Sequence, residues 1–295
     1  MLDGLRGYPE ARAVEDELLA GGVLASGYDD ASRMYQNDVA QPLICLYQAM
    51  VWAVVQPRLP APELFAGYSL GELSAYGCAG ALAPADVLRL AQARGRLMQA
   101  AARAGDGAGQ AMIAVLGARQ QELAGMASRF AAWPAIINSP DHVIYGLPAK
   151  ETENFIEAAI GAGATRTVRL PVTAAAHTPY MASAASAFEE LLRQVACRPV
   201  TAAVLSGVSG QRVFAREQMV AALTRQIRQT IDWQVCMEVA HGHPCRVFLE
   251  LGPGSSLVNM LRAAFPDVEA RSVAEFKDVT AVGKWVETAW RRQEA

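Results

Sequence analysis

The chain has 295 residues, 52% of them hydrophobic, with a formal net charge of −3 and a pI near 5.9. That is long enough for one large domain, or one large domain carrying an inserted small one. No Lys/Arg block suggests a nucleic-acid surface. Polar residues break the apolar stretches before membrane-spanning length, and residues 1–17 lack the apolar centre of a secretory signal. The expectation is a protein that binds neither nucleic acid nor membrane. Five scattered cysteines (Cys45, Cys78, Cys197, Cys236 and Cys245) include no C-x-x-C pair. They read as reduced thiols of a cytoplasmic protein. His241-Gly242-His243 reads as a surface turn, because no Cys or carboxylate cluster accompanies it, so no metal is expected.

In chain order, 8–19 and 41–55 read as helices. In the second, Pro42 suits a first turn, and Leu43, Leu46, Met50 and Val54 recur at helical spacing. A short apolar run, Leu64-Phe65-Ala66, leads into Gly67-Tyr68-Ser69-Leu70-Gly71 and then a helix-like stretch to residue 80. A further helix covers 85–102. From 110 the rhythm changes: strand 111–116, helix 120–130, strands 135–138 and 142–145 around Ser139-Pro140-Asp141, helix 150–160, strand 165–172. That order is the split, ferredoxin-like pattern of a compact inserted subdomain. Beyond it come a helix at 183–196, a strand at 203–206, a helix at 218–229 and a strand at 246–251. Gly252-Pro253-Gly254 closes that strand, and a helix follows from Ser256. The predicted fold is α/β: an α/β-hydrolase-like large domain with a mostly parallel sheet (1–109 and 174–295) and a ferredoxin-like subdomain (110–173).

Gly-x-Ser-x-Gly between a strand and a helix is the pattern of a nucleophile elbow. The turn strains the serine backbone, so small residues are expected at both flanks, and the helix start offers free N–H groups to an oxyanion. A serine nucleophile needs a base. His177, within Ala174-Ala175-Ala176-His177-Thr178-Pro179, lies at the predicted domain junction, where clefts form. An exposed loop histidine is the plain alternative. No compelling acid lies between elbow and histidine, which disfavours a Ser-Asp-His hydrolase, and a backbone carbonyl could orient the imidazole instead. From spacing alone, Arg89, Arg94, Arg96 and Arg103 read as a solvated helix face. Turned inward, Arg94 would need an anionic partner, and a carboxylate would fit it.

Together these residues resemble the malonyl-CoA:acyl-carrier-protein transacylases of fatty-acid and polyketide synthesis. The resemblance runs through Gly67-Tyr68-Ser69-Leu70-Gly71-Glu72, Arg94-Gly95, Asn138-Ser139-Pro140, Leu170-Pro171-Val172 up to His177, Gln226 before Asp232-Trp233, and Glu250-Leu251-Gly252-Pro253-Gly254. It implies Ser69 as the acylated nucleophile, His177 as general base and then acid, and Gln226 as the main-chain carbonyl orienting the histidine. It further implies Leu70 N–H as an oxyanion donor and Arg94 as partner of the malonyl carboxylate, with Gln41, Tyr68 and Asn138 lining the substrate site. Malonyl-CoA would be the substrate, an acyl carrier protein the acceptor, and no cofactor would be bound.

Two departures matter. The family usually begins with a strand ending Phe-Pro-Gly-Gln-Gly, whose glutamine supplies a second oxyanion N–H. This chain begins after that point, so a start upstream of Met1 is expected. Tyr68 stands where the fatty-acid enzymes usually have histidine, which resembles the epsilon, malonyltransferase, subunit of malonate decarboxylase and its dedicated carrier protein. A fatty-acid or polyketide transacylase, a serine hydrolase or thioesterase, and an inactive acyl-binding scaffold are the alternatives.

Overall fold

The computed structural model describes residues 2–25, 37–104, 109–243 and 245–294; Met1, behind which the expected upstream strand would lie, falls outside them. In chain order the elements are α1 (Pro9–Ala20), α2 (Asn37–Val55), β1 (Leu64–Phe65), α3 (Leu70–Cys78), α4 (Pro84–Arg103), β2 (Gln110–Leu116), α5 (Gln120–Ala127), β3 (Trp133–Ser139), β4 (His142–Pro148), α6 (Thr152–Gly161) and β5 (Arg166–Arg169). They continue with α7 (Ala182–Gln194), β6 (Ala203–Leu205), β7 (Arg212–Val213), α8 (Arg216–Arg228), β8 (Ile231–Asp232), α9 (Trp233–Gly242), β9 (Val247–Glu250), α10 (Ser256–Ala264), β10 (Glu269–Ser272) and α11 (Ala281–Glu294). The fold is mixed α/β.

The chain divides into two compact units. The first comprises Met1–Gln92, Ala196–Val204 and Met237–Ala295. Here α2 packs against α1 and α3, burying Leu43, Leu46, Met50, Val51 and Val54. This helix starts before the expected residue 41, so Pro42 lies inside it, beyond the first turn, and forfeits one backbone hydrogen bond. The expectation that no apolar stretch reaches membrane-spanning length also fails: Asp38–Arg58, 21 residues, is long and apolar enough by composition. Leu46, Met50, Val51 and Val54 of this helix are fully buried within the unit. Strands pair in parallel, as β1 with β6 and β9 with β10, in two separate sheets rather than one. The segment leading into β6 is tied to the end of α3, where Thr201 N–H donates to Ala79 O at 2.8 Å and Arg198 N–H to Ala81 O at 2.9 Å.

The second unit comprises Ala93–Val195 and Leu205–Cys236. Its sheet has the order β5-β2-β4-β3-β8, antiparallel except for the β3–β8 pair. β8 therefore extends it past the four strands expected from 110–173. Side chains alternate across each strand. On one face Ala111, Ile113, Val115, Val143, Tyr145 and Leu147 meet Leu123, Phe155 and Ala159 of α5 and α6. Phe155 anchors that core, tilted against Tyr145 at 5.2 Å and edge-on to Phe130 at 6.1 Å between centroids. On the opposite face of β4, Gly146 leaves room for another segment: a Cβ there would lie 2.9 Å from the Ala175 Cβ and 2.8 Å from the Thr178 Cγ2. The loop bearing His177 packs where that side chain is missing.

Phe155→Ala removes a large, fully buried aromatic side chain of this core and leaves a cavity. The expected cost to the second unit is about 3–5 kcal/mol, read as a lower urea midpoint. An unchanged midpoint would contradict this packing.

Candidate active site

In the first unit, Ser69 sits on the turn between β1 and α3 as the N-cap of α3, with φ 52° and ψ −112°. Gly71 N–H closes onto Tyr68 O at 2.9 Å and Glu72 N–H onto Ser69 O at 3.1 Å. Leu70 is the first helical residue, and the N–H there has no acceptor within the helix. The two flanking glycines differ. A Cβ at Gly67 would lie 2.0 Å from the Gly71 carbonyl carbon, whereas one at Gly71 would meet nothing within 4 Å. The expectation of small residues at both flanks is corrected: only Gly67 is sterically required, because the chain folds back over it alone.

In the second unit, His177 is 1% exposed, with φ 62°. Among the described residues only Ser69, Ala131 and His177 are non-glycine residues with positive φ. Such strain persists where the surroundings over-determine it, and for His177 they do. Its backbone N–H donates to Ile227 O at 2.9 Å and its Nδ1 lies 2.5 Å from Gln226 O. Both acceptors belong to the last turn of α8, whose carbonyls have no helical N–H ahead of them. The loop is pinned further by Ala175 N–H to Gln110 Oε1 at 2.8 Å and by Thr178 Oγ1 to Ala175 O at 2.6 Å. A carbonyl opposite Nδ1 fixes the proton there and leaves Nε2 as the basic nitrogen. Burial first, and then the Arg94 guanidinium, push the His177 pKa down to about 3, against the opposing pull of the Gln226 carbonyl. The imidazole is therefore neutral at physiological pH and able to accept a proton. The plain alternative of an exposed loop histidine does not hold.

Arg94 lies in α4 and is 3% exposed. Its Nη2 donates to Gln226 Oε1 at 3.2 Å. The reading of four arginines as one solvated face is corrected: Arg89, Arg96 and Arg103 are exposed and Arg94 alone is buried. A signal was present, since Leu88, Ala91, Met98 and Ala102 are buried at helical spacing and Arg94 falls on their stripe. Gln226, itself 1% exposed, thus holds His177 by its main chain and Arg94 by its side chain. Two parts of this arrangement escaped the sequence: the Gln226 side-chain contact and the Ile227 carbonyl.

The other expected residues are placed separately. Asn138 is buried in β3, its Nδ2 3.4 Å from His142 Nε2. Gln41 is buried in α2 and Tyr68 is half-buried beside Ser69, both in the first unit. His241 ends α9, bonded through Nε2 to Asp267 Oδ2 at 3.0 Å and stacked on Phe265 at 4.2 Å.

Comparison with known proteins gives this arrangement its class. Residues 21–290 match the acyl transferase domain. The chain belongs to the acyl transferase family and is an acyltransferase. It is 28% identical over 276 residues to the malonyl CoA-acyl carrier protein transacylase of Haemophilus influenzae, covering 89% of this chain and 88% of that one. It superimposes on the acyl-carrier-protein-S-malonyltransferase of Bartonella henselae with a TM-score of 0.85 at 26% identity, over 96% and 93% of the two chains. A type II PKS acyl-carrier protein in complex with its malonyl-transacylase also matches, with a TM-score of 0.86 at 25% identity, over 96% and 94%.

The elbow geometry makes the two glycines testable against each other. Gly67→Ala should displace Ser69 and slow acyl-enzyme formation by about 100-fold, the scale of a 1 Å misplacement. Gly71→Ala should leave that rate within a few-fold. Equal effects, measured by intact mass against time, would contradict the turn described.

Proposed function

We propose that this acyltransferase moves a malonyl group from malonyl-CoA to the thiol of an acyl carrier protein through a malonyl-serine intermediate. The observation that carries the reading is the pairing of a neutral buried histidine with a buried arginine on one glutamine, a base and a cation held together. The names of the relatives support the substrate and the acceptor.

In this reading Ser69 Oγ attacks the thioester carbonyl carbon while His177 Nε2 takes the hydroxyl proton. The Leu70 N–H donates to the oxyanion, a contact worth about 3–4 kcal/mol in comparable sites. The C–S bond then breaks, and the CoA thiolate leaves with the proton from the imidazolium. In the second half the carrier thiol gives its proton to His177 and its sulfur attacks the malonyl ester. Ser69 leaves and recovers that proton, which completes a ping-pong cycle. Arg94 pairs with the malonyl carboxylate by two parallel hydrogen bonds. Gln41, Tyr68 and Asn138 are proposed to line the acyl site.

The strand order β5-β2-β4-β3 supports a ferredoxin-like reading of residues 110–173, and the remainder, which carries the elbow, is read as α/β-hydrolase-like. The five cysteines form no disulfide, in keeping with a cytoplasmic site of action. Tyr68 favours a more particular reading, the malonyltransferase subunit of malonate decarboxylase with its dedicated carrier. The names of the relatives favour a fatty-acid or polyketide role. Presenting malonyl-CoA with each class of carrier, and with free thiols, separates the two by the preferred acceptor. Fast hydrolysis without a thiol would point to a thioesterase instead.

Incubation with malonyl-CoA should add one malonyl mass to the wild-type chain and none to Ser69→Ala. An adduct retained on Ser69→Ala would sink the proposal.

Arg94→Ala should cut the preference for malonyl over acetyl groups by roughly 100-fold, the loss of about 3 kcal/mol of charge-assisted hydrogen bonding. An unchanged ratio of kcat/KM values would remove Arg94 from this role.

A further inference from the structure

The two contacts of Gln226 use different parts of the residue. The main-chain carbonyl faces His177 Nδ1 at 2.5 Å and would remain with any side chain at this position. The side-chain Oε1 accepts from Arg94 Nη2 at 3.2 Å and depends on the amide itself. Both contacts are buried, so neither is diluted by water. The side-chain contact is also chemically particular. An amide oxygen takes a guanidinium hydrogen bond without carrying the charge that would cancel it, whereas a carboxylate at the same distance would form an ion pair. A guanidinium is planar, and a hydrogen bond on one arm fixes the plane in which its remaining donors point. Gln226 is anchored in turn, since its backbone lies in the last turn of α8, held through His177 by two hydrogen bonds.

We propose that the Gln226 side chain is a positioning residue for acyl-group selectivity, in which Oε1, an acceptor that carries no charge of its own, aims the Arg94 guanidinium at an anionic acyl group. The proposal rests on the malonyl-transfer reading and adds a residue to it. One residue then aligns two functions by separate chemistry, the base by main chain and the cation by side chain. Substitution of the side chain should therefore be read in the preference between anionic and neutral acyl groups.

The test compares wild type, Gln226→Leu and Gln226→Glu with malonyl-CoA and acetyl-CoA, reading kcat and KM for acyl-enzyme formation across pH 5–8. Gln226→Leu keeps the bulk and removes the acceptor. Its malonyl-to-acetyl ratio of kcat/KM should fall about 10-fold or more, the scale of one hydrogen bond to a charged group. The loss should appear mainly in KM for malonyl-CoA, and the malonyl-to-acetyl ratio reads it against any common slowing of both groups. Gln226→Glu is nearly isosteric and covers the case in which the leucine variant does not fold. Its carboxylate pairs with Arg94, and that pairing favours its ionised form, so the malonyl-to-acetyl ratio should be lowered throughout pH 5–8. Purely structural damage would slow both groups alike and leave the ratio unchanged. A wild-type protein that loads both groups alike overturns the malonyl reading and this inference with it. A selective wild type whose two variants keep its ratio overturns the inference alone.

Discussion

The last turn of α8 presents carbonyls that no helical N–H can reach, and His177 takes two of them. Gln226 O meets the imidazole Nδ1 and Ile227 O meets the histidine backbone N–H. A neighbouring end carbonyl, Arg225 O, is closed by Gln229 N–H at 2.9 Å. This arrangement satisfies polar groups that burial would otherwise leave costly. It also holds His177 at φ 62°, a backbone angle a histidine does not adopt freely. The ring orientation, the tautomer and the basic nitrogen follow from those two bonds. The room for the loop comes from Gly146 in β4, where a side chain would collide with Ala175 and Thr178.

The electrostatics of the second unit depend on the same junction. Burial and the nearby Arg94 both oppose a charged imidazole, while the carbonyl at a helix C-terminus favours one. The first two prevail, so the histidine rests neutral. In the reaction proposed, it becomes cationic only while it holds a proton in transit, and an anionic acyl group on Arg94 would ease that step by offsetting the guanidinium charge. A carboxylate partner for the histidine would stabilise the charged ring further; the carbonyl orients it without adding a charge. The absence of a compelling acid between Ser69 and His177 in the sequence is consistent with that choice.

Legibility in the sequence followed the range of the forces involved. The elbow was readable because its causes are local: a two-residue strand, a glycine on which the chain closes, and a helix opening at Leu70. The strands of 110–173 were readable because alternation and turn residues mark them, down to the Ser139-Pro140-Asp141 connection. β8 is not legible in the sequence, because its two residues carry no periodicity and it exists only by pairing in parallel with β3. In the sequence Pro42 suits a first turn, whereas α2 begins earlier and tolerates the one bond that Pro42 forfeits inside it. Residue type alone groups Arg94 with three exposed arginines, whereas its position on the apolar stripe of α4 sets it apart.

By itself the sequence determined the α/β class, the serine on a strained turn, the histidine among small residues, and the order of motifs that marks an acyltransferase. These depend on spacing and residue type, which survive in one dimension. The tertiary structure alone decided that Arg94 faces inward, that His177 is neutral, and that Gln226 joins the two. Residues 94, 177 and 226 are far apart in the chain, and hydrogen bonds of about 3 Å between them form only when α4, the His177 loop and the end of α8 are packed side by side. Burial then changes the chemistry of each group, shifting the histidine's proton affinity and making the guanidinium's hydrogen-bond partner matter.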